Sequence, residues 1–143
     1  MKVVVIDPRK TATCDIADLH LSLKPGSDAT LWNGLLNYLR DNGHYDQEFS
    51  TQLEEDAEAM EWAFSSAPSF KAVADICDLS TETVELFYQL FANNEKVVSL
   101  FSQGVNQSST GTDKVNAILN CHLYSGRIAK PGMGPFSLTG QPN

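Results

Sequence analysis

Three polar loops of this 143-residue chain carry side chains that suit a phosphorylated nucleotide. The first, Asp7-Pro8-Arg9-Lys10-Thr11, offers one carboxylate and two cations. The carboxylate can accept hydrogen bonds from ribose hydroxyls or base N–H groups, and the cations suit phosphate. Because the loop follows an apolar, β-branched run at 2–6, it lies beyond the carboxyl end of a strand, where open α/β sheets bind ligands.

The second loop, Ser102-Gln103-Gly104-Val105-Asn106-Gln107, follows another apolar run at 96–101. Gly104 allows a close approach of the backbone to a ligand. The amides of Gln103 and Gln107 supply neutral donors and acceptors. No structural role is evident from the sequence for this polar stretch, which favours a binding role.

The third loop, Gly26-Ser27-Asp28, stands at the start of an amphipathic pattern. The Asp28 carboxylate can accept two hydrogen bonds from the N1–H and exocyclic N–H of guanine, a pair that adenine does not offer. A helix cap from Ser27 or Asp28 is the competing and commoner interpretation. In the same way, Asp7-Pro8 can simply end a strand, and Arg9-Lys10 can be a solvated surface pair.

Size and charge limit the classes of function. The chain is 42% hydrophobic, which suits one domain with its own core, and 10 Lys+Arg against 18 Asp+Glu give a net charge of −8. We therefore expect neither nucleic acid nor a membrane as partner, since both attract basic surfaces. No apolar run approaches the roughly 18 residues of a membrane span. An acidic cluster is expected to face solvent and not to bind a cation: Glu54, Glu55, Asp56, Glu58 and Glu61.

The three cysteines, Cys14, Cys77 and Cys121, are dispersed and odd in number. This argues against a disulfide framework and favours a reducing, cytoplasmic compartment. Two of the three have apolar neighbours, which predicts small buried hydrophobic side chains and not reactive thiolates. Neither a metal site nor a Ser/His/Asp or Cys/His catalytic set is evident, so we expect no catalytic residue and no metal ligand in this chain.

Helical and strand patterns alternate along the chain. Strands are predicted at 2–6, 20–23 and 96–101, and helices or helical turns at 28–41, 46–53, 54–64, 70–77, 81–92 and 113–124. The stretches 102–112 and 125–143 are predicted to be loop, the latter because it holds four Gly and three Pro. The alternation predicts an α/β fold: a helix-rich, Rossmann-like, three-layer domain with a small parallel sheet.

These loops and the tail resemble the molybdopterin oxidoreductase (dimethyl sulfoxide reductase) family. The resemblance covers nearly the whole chain, and the tail is most similar to assimilatory-type bacterial nitrate reductase catalytic subunits. The segments that carry it are Val5-Ile6-Asp7-Pro8-Arg9-Lys10-Thr11 through Asp18, Lys24-Pro25-Gly26-Ser27-Asp28, Gln103-Gly104-Val105-Asn106-Gln107, Gly111-Thr112-Asp113, Asn120-Cys121-His122-Leu123-Tyr124-Ser125-Gly126 and the stretch 130–143.

The resemblance implies a parent enzyme with molybdenum held between two molybdopterin guanine dinucleotides. Such an enzyme reduces nitrate to nitrite by two-electron oxygen-atom transfer and receives electrons through a 4Fe-4S cluster. The cofactor-binding residues implied by position are Asp7, Pro8, Arg9, Lys10, Thr11, Gly26, Ser27, Asp28, Gln103 and Gln107. Asp28 would read the guanine, and Gln103 and Gln107 would lie nearer the metal. Gln103 stands where some periplasmic relatives have methionine.

The ligands of the cluster and of molybdenum have no counterpart in this chain. The chain is therefore expected to be a single excised domain, residues 1–143, that binds part of the cofactor and is inactive alone. Its expected partners are the molybdopterin guanine dinucleotide and the remaining domains of the parent subunit. Two alternatives stay open: a formate dehydrogenase of the same family, and a receiver-like interaction domain suggested by the first strand, Val3-Val4-Val5-Ile6-Asp7.

Overall fold

Short strands and longer helices alternate in the computed structural model, which describes residues 1–47, 61, 64–65 and 68–140. The elements in chain order are β1 (Val4–Ile6), a 3-10 helix (Ala12–Ile16), β2 (Leu19–Leu21), α1 (Asp28–Asp41), α2 (Phe70–Cys77), α3 (Thr81–Asn93), β3 (Val98–Phe101), α4 (Gln103–Asn106), α5 (Gly111–Tyr124) and β4 (Gly134–Ser137). This confirms a helix-rich α/β protein. The helical turns predicted over 46–53 and 54–64 lie largely outside the described residues.

The helices begin and end close to the predicted positions because their signals are local. The bounds of α1 and α2 are those predicted, 28–41 and 70–77. Ser80 caps α3, since its hydroxyl accepts a hydrogen bond from the Thr83 backbone N–H at 3.1 Å. No helix among these elements combines the length and apolar character needed to cross a bilayer.

The described strands form two separate two-stranded parallel sheets, where the sequence predicted one small sheet. Strand β1 pairs with β2, with Ile6 opposite Leu21. Strand β3 pairs with β4, with Phe101 opposite Ser137. Because paired parallel strands end at the same edge, the loops that follow β1 and β2 leave one sheet together, and those that follow β3 and β4 leave the other.

Two stretches predicted to be loop contain regular structure. Residues 102–112 include the short helix α4, and α5 begins at Gly111 instead of residue 113. The tail 125–143 contains β4. Gly134 and Pro135 give β4 a weak local strand pattern, so its pairing with the distant β3 makes it a strand.

Strand β3 is covered on one face only, although its apolar run at 96–101 is typical of a buried strand. Ser99 faces α5, and its hydroxyl lies 2.8 Å from Nε2 of His122. Val98 and Leu100 point to the other side and are exposed. The difference arises because alternate side chains of a strand point to opposite faces, and α5 covers one of them.

The core forms around α1, which packs against α2, α3 and α5. Leu31 and Leu35 of α1 are fully buried. The Trp32 ring meets Phe87 and Phe91 of α3 edge to face, with centroids 5.6 and 5.9 Å apart. Edge-to-face pairs add specific geometry to apolar burial. Helix α1, whose first residue belongs to a predicted binding loop, is therefore held rigidly.

A buried arginine closes the end of α3. The guanidinium of Arg127 donates through Nη2 to the carbonyls of Asn94 at 2.7 Å and Ala92 at 3.3 Å, and through Nε to Glu95 at 3.2 Å. It also lies over the Phe91 ring, 4.8 Å from the centroid. These carbonyls have no further turn of helix to bond to, so Arg127 satisfies them and holds the connection to β3.

Candidate cofactor-binding site

The loops that follow β1 and β2 lie side by side at one sheet edge. The Asp7 backbone N–H donates to the Leu21 carbonyl at 3.2 Å, which continues the strand pairing by one residue. The His20 ring lies against the same loop, with Nε2 2.8 Å from the Asp7 carbonyl oxygen. The edge therefore carries both the Asp7–Thr11 loop and the chain that leads into Gly26–Asp28.

Lys114, near the start of α5, joins the Gly26–Asp28 loop to the loop after β3. Its ammonium lies 2.8 Å from Oδ2 of Asp28 and donates to the Gly104 carbonyl at 3.4 Å. The Lys114 side chain is only 5% exposed and that of Asp28 is 21% exposed. The structure thus joins two of the three predicted loops through a residue that the sequence did not single out.

The loop after β3 also has a structural role, which the sequence did not reveal. The Gln103 amide donates to the Thr139 carbonyl at 3.0 Å, and the Asn106 amide donates to the Ser137 hydroxyl at 2.8 Å. The Ser102 hydroxyl donates to the Leu138 carbonyl. These bonds fasten α4 to the end of β4, so part of the Gln103 side chain's hydrogen-bonding capacity is used within the protein.

Other predicted site residues also bond within their own loops. Asp7 Oδ1 accepts from the Arg9 backbone N–H at 2.7 Å, which shapes the turn after β1. Ser27 is buried, and its hydroxyl donates to the Lys24 carbonyl at 2.7 Å. The expected helix cap from the Ser27 side chain is therefore not formed. The Thr11 hydroxyl is 3.7 Å from the Cys14 sulfur.

The remaining predicted positions are open to solvent. Pro8, Arg9, Lys10 and Gln107 are exposed. A Cβ placed on Gly104 would meet no heavy atom within 4 Å, and the same holds for Gly26. The cations and both glycine backbones are therefore accessible to a ligand from solvent.

A cysteine thiol lies behind the Gly26–Asp28 loop. Cys77 is fully buried, and its thiol donates to the Ser27 carbonyl at 3.7 Å. Burial raises the pKa of Cys77, so the thiol is protonated at neutral pH. All three cysteines are free and buried, which confirms the predicted structural role.

A signal for Lys114 was present in the sequence. Ala117, Ile118 and Cys121 are buried along one face of α5, and Lys114 occupies the preceding turn of that face. A lysine in line with a buried stripe needs a partner, because an unpaired buried charge is costly. Its partner, Asp28, is too distant in sequence for the spacing to identify.

The predicted acidic cluster is mostly outside the described part of the chain. Glu54, Glu55, Asp56 and Glu58 fall there, and Glu61 is exposed. Among the described residues, no group of three or more His, Cys, Asp or Glu side chains is arranged to bind a metal.

Comparison with known sequences identifies the family. The family model described as molybdopterin oxidoreductase matches residues 1–142. The chain belongs to the molybdopterin oxidoreductase family. This molybdopterin oxidoreductase chain is 46% identical over 143 residues to a nitrate reductase of Klebsiella oxytoca and 45% identical over 143 residues to one of Synechocystis sp.. The matches cover 100% of this chain but only 16% and 20% of those relatives, so the chain spans about a sixth to a fifth of their length.

A solved structure shares the fold of this molybdopterin oxidoreductase chain. Acetylene hydratase from Pelobacter acetylenicus superposes with a TM-score of 0.78 at 22% identity, over 92% of this chain and 18% of that one. The likeness supports the α/β fold predicted from the sequence. Because the family model matches nearly the whole chain, the receiver-like interaction domain is no longer a candidate.

The donor groups of the site fit a pterin cofactor that carries a nucleotide. Arg9 and Lys10 are exposed cations that match phosphate, and Asp28 is a carboxylate that matches a base edge. Beyond Gly26 and Gly104 lies open space that a side chain would enter. The residues present therefore offer charge, hydrogen bonds and room for such a group.

Proposed function

We propose that this chain is the cofactor-binding part of a molybdenum nitrate reductase and binds a molybdopterin guanine dinucleotide. The observation that supports this most is the Asp28–Lys114–Gly104 junction, which joins loops that are far apart in sequence. Lys114 thereby holds the Asp28 carboxylate and the open backbone of Gly104 within reach of one ligand. The high identity to nitrate reductases supports the choice within the family.

Different residues would contact different parts of the cofactor. Arg9 and Lys10 would neutralise its phosphates, and the Asp7 carboxylate and the Pro8 and Thr11 backbone would shape that end of the site. Asp28 would accept from both guanine N–H groups, because its carboxylate has four lone pairs and the Lys114 ammonium occupies one of them. Gly26 and Ser27 would present backbone groups to the nucleotide, and Gln103 and Gln107 would approach the pterin.

Bound molybdenum would supply the two-electron chemistry of the reaction NO₃⁻ + 2 H⁺ + 2 e⁻ → NO₂⁻ + H₂O. In the proposed parent enzyme, a second dinucleotide completes the metal's surroundings and a 4Fe-4S cluster delivers the electrons. The residues of this chain hold and orient the cofactor and do not themselves transfer protons or electrons. The three reduced, buried cysteines fit the cytoplasmic setting of an assimilatory enzyme.

Residues 1–143 would act as a single domain that cannot turn over by itself. The site described above has groups for one nucleotide end, and the chain spans 16–20% of its nitrate reductase relatives. Molybdenum ligation, electron supply and the second dinucleotide would come from the rest of the parent subunit.

The test uses the full-length protein that contains this chain, prepared as wild type, Asp28→Asn and Asp75→Asn. Acid hydrolysis of the bound cofactor, followed by nucleotide chromatography, identifies and counts the base. We expect wild type and the exposed-surface control Asp75→Asn to release equal amounts of GMP, and Asp28→Asn to release much less. GMP release that is unchanged in Asp28→Asn would refute the guanine role, and release of another nucleotide would refute the proposed cofactor.

Formate oxidation is the second candidate activity. The chain is 30% identical over 142 residues to the F420-dependent formate dehydrogenase 2 subunit alpha of Methanococcus maripaludis. The two candidates separate in one assay, because nitrate reduction consumes electrons from a reduced dye whereas formate oxidation supplies them to an oxidised one. We expect dye oxidation with nitrate and no dye reduction with formate.

A further inference from the structure

One face of the β3–β4 sheet is an exposed apolar surface. It consists of Val98, Leu100, Phe136 and Leu138, whose exposure ranges from 47% to 63%. We call these four residues the outer sheet face. Single exposed apolar residues are ordinary on protein surfaces, but four on one sheet face form a patch of the kind that binds another surface.

The strand register places these side chains together. Leu100 lies opposite Phe136, and Val98 lies opposite Gly134, so that the Phe136 ring can extend over the glycine. The Leu138 backbone N–H donates to the Phe101 carbonyl at 2.7 Å and continues the pairing beyond β4. The outer sheet face is therefore continuous along the whole strand pair.

Because the β3–β4 sheet is parallel, its outer sheet face is expected to be covered. Parallel sheets occur almost always with both faces buried. Here the inner face is covered, because Ser99 bonds to His122 of α5 and Phe101 packs against the core. The outer sheet face has no cover among the described residues, and its residues carry no charge that would favour water.

We propose that the outer sheet face is covered by a segment of the same polypeptide that lies outside residues 1–143. The nitrate reductase relatives are about five to six times as long as this chain, so most of their sequence is available for this contact. The patch also adjoins the candidate site, since the Ser102 and Gln103 side chains bond to the backbone at its Leu138 end. The covering segment would thus hold the loop after β3 in place.

The inference rests on the sheet and on family membership, not on the reaction proposed above. A photoreactive benzoylphenylalanine in place of Leu100, in the full-length protein, tests it directly. Illumination followed by peptide mass spectrometry should show crosslinks within one chain to a segment outside residues 1–143. Crosslinks between two copies of the chain would overturn the proposal in favour of a dimer interface, and an absence of crosslinks would overturn it in favour of a free surface.

A pair of matched substitutions provides a second measurement. Leu100→Glu removes an apolar side chain of the outer sheet face, and Leu86→Glu removes one that is exposed on α3, outside the patch. We expect Leu100→Glu to lower the Tm of the full-length protein clearly more than Leu86→Glu, because it places a charge in a covered apolar contact. Equal shifts would contradict the covering segment, whatever the outcome of the nucleotide and nitrate assays.

Discussion

The ammonium of Lys114 lies 2.8 Å from the carboxylate of Asp28, and this ion pair joins the first turn of α5 to the first residue of α1. Lys114 is almost fully buried and Asp28 is mostly buried. The pair therefore serves two purposes. It satisfies a charge in the interior, and it sets the position of the carboxylate that we assign to guanine.

Replacement of Lys114 by methionine should destabilise the protein by about 2 kcal/mol, because it leaves the Asp28 carboxylate without its cation in a partly desolvated place. The control is Lys71→Met, which breaks the exposed Lys71–Asp75 pair on α2 and should cost about 0–0.5 kcal/mol. Denaturant unfolding measures both. The double variant Lys114→Met/Asp28→Asn should recover part of the loss, and equal costs for the two single variants would contradict a stabilising pair.

Stability should fall as the pH drops through the range between about 6.5 and 4, because of His122. Burial, helped by the charge of Arg127, lowers the pKa of His122 to about 4. The unfolded chain then binds a proton over a range in which the folded chain does not, so acid favours unfolding by up to about 3 kcal/mol. Urea unfolding at a series of pH values measures the slope.

The contribution of His122 can be isolated by two variants. His122→Asn removes the titrating ring and should flatten the slope, although it can lower stability at every pH. Ser99→Ala removes the hydroxyl next to Nε2 but leaves the ring buried, so the slope should persist. A slope that survives His122→Asn would assign the acid sensitivity to other groups.

Alanine at Gly34 should destabilise the protein, although glycine to alanine within a helix ordinarily stabilises by about 0.5–1 kcal/mol. A Cβ at Gly34 would lie 2.5 Å from the Tyr88 hydroxyl and from Cγ2 of Val73, so α1 could no longer approach α2 and α3. The expected cost is about 1–3 kcal/mol. Gly104→Ala is the control, since its Cβ meets nothing within 4 Å; thermal unfolding should show a drop in Tm for Gly34→Ala alone.

Replacement of Arg127 by lysine or methionine should destabilise the protein at the end of α3. The guanidinium serves three carbonyls at the end of α3 in a planar arrangement that a single ammonium cannot reproduce. Arg127→Lys should cost about 1–2 kcal/mol and Arg127→Met about 3 kcal/mol, the second because the carbonyls lose every charged donor. Hydrogen exchange should locate the loss at the end of α3 and in β3. A uniform increase in exchange across all helices would argue against a local role.

The longer helices were predictable because each one depends on residue types a few positions apart, whereas the short α4 was not predicted. The repeat of Leu31, Leu35 and Leu39 at every fourth residue is typical of a helix such as α1, and Ser80 is a typical residue before the first turn of a helix such as α3. The strand β4 was not predictable in the same way. Gly134 and Pro135 disfavour a strand locally, and only hydrogen bonds to β3 compensate.

The sequence by itself determined the family, the bounds of α1 and α2 and the three polar loops, since all of these depend on residue types at short spacing. Only the tertiary structure decided that Lys114 pairs with Asp28, that Gln103 bonds to Thr139, and that the strands form two sheets. Such contacts join residues separated by long stretches of chain. Their pairing depends on how the helices pack around α1, and no local pattern encodes that packing.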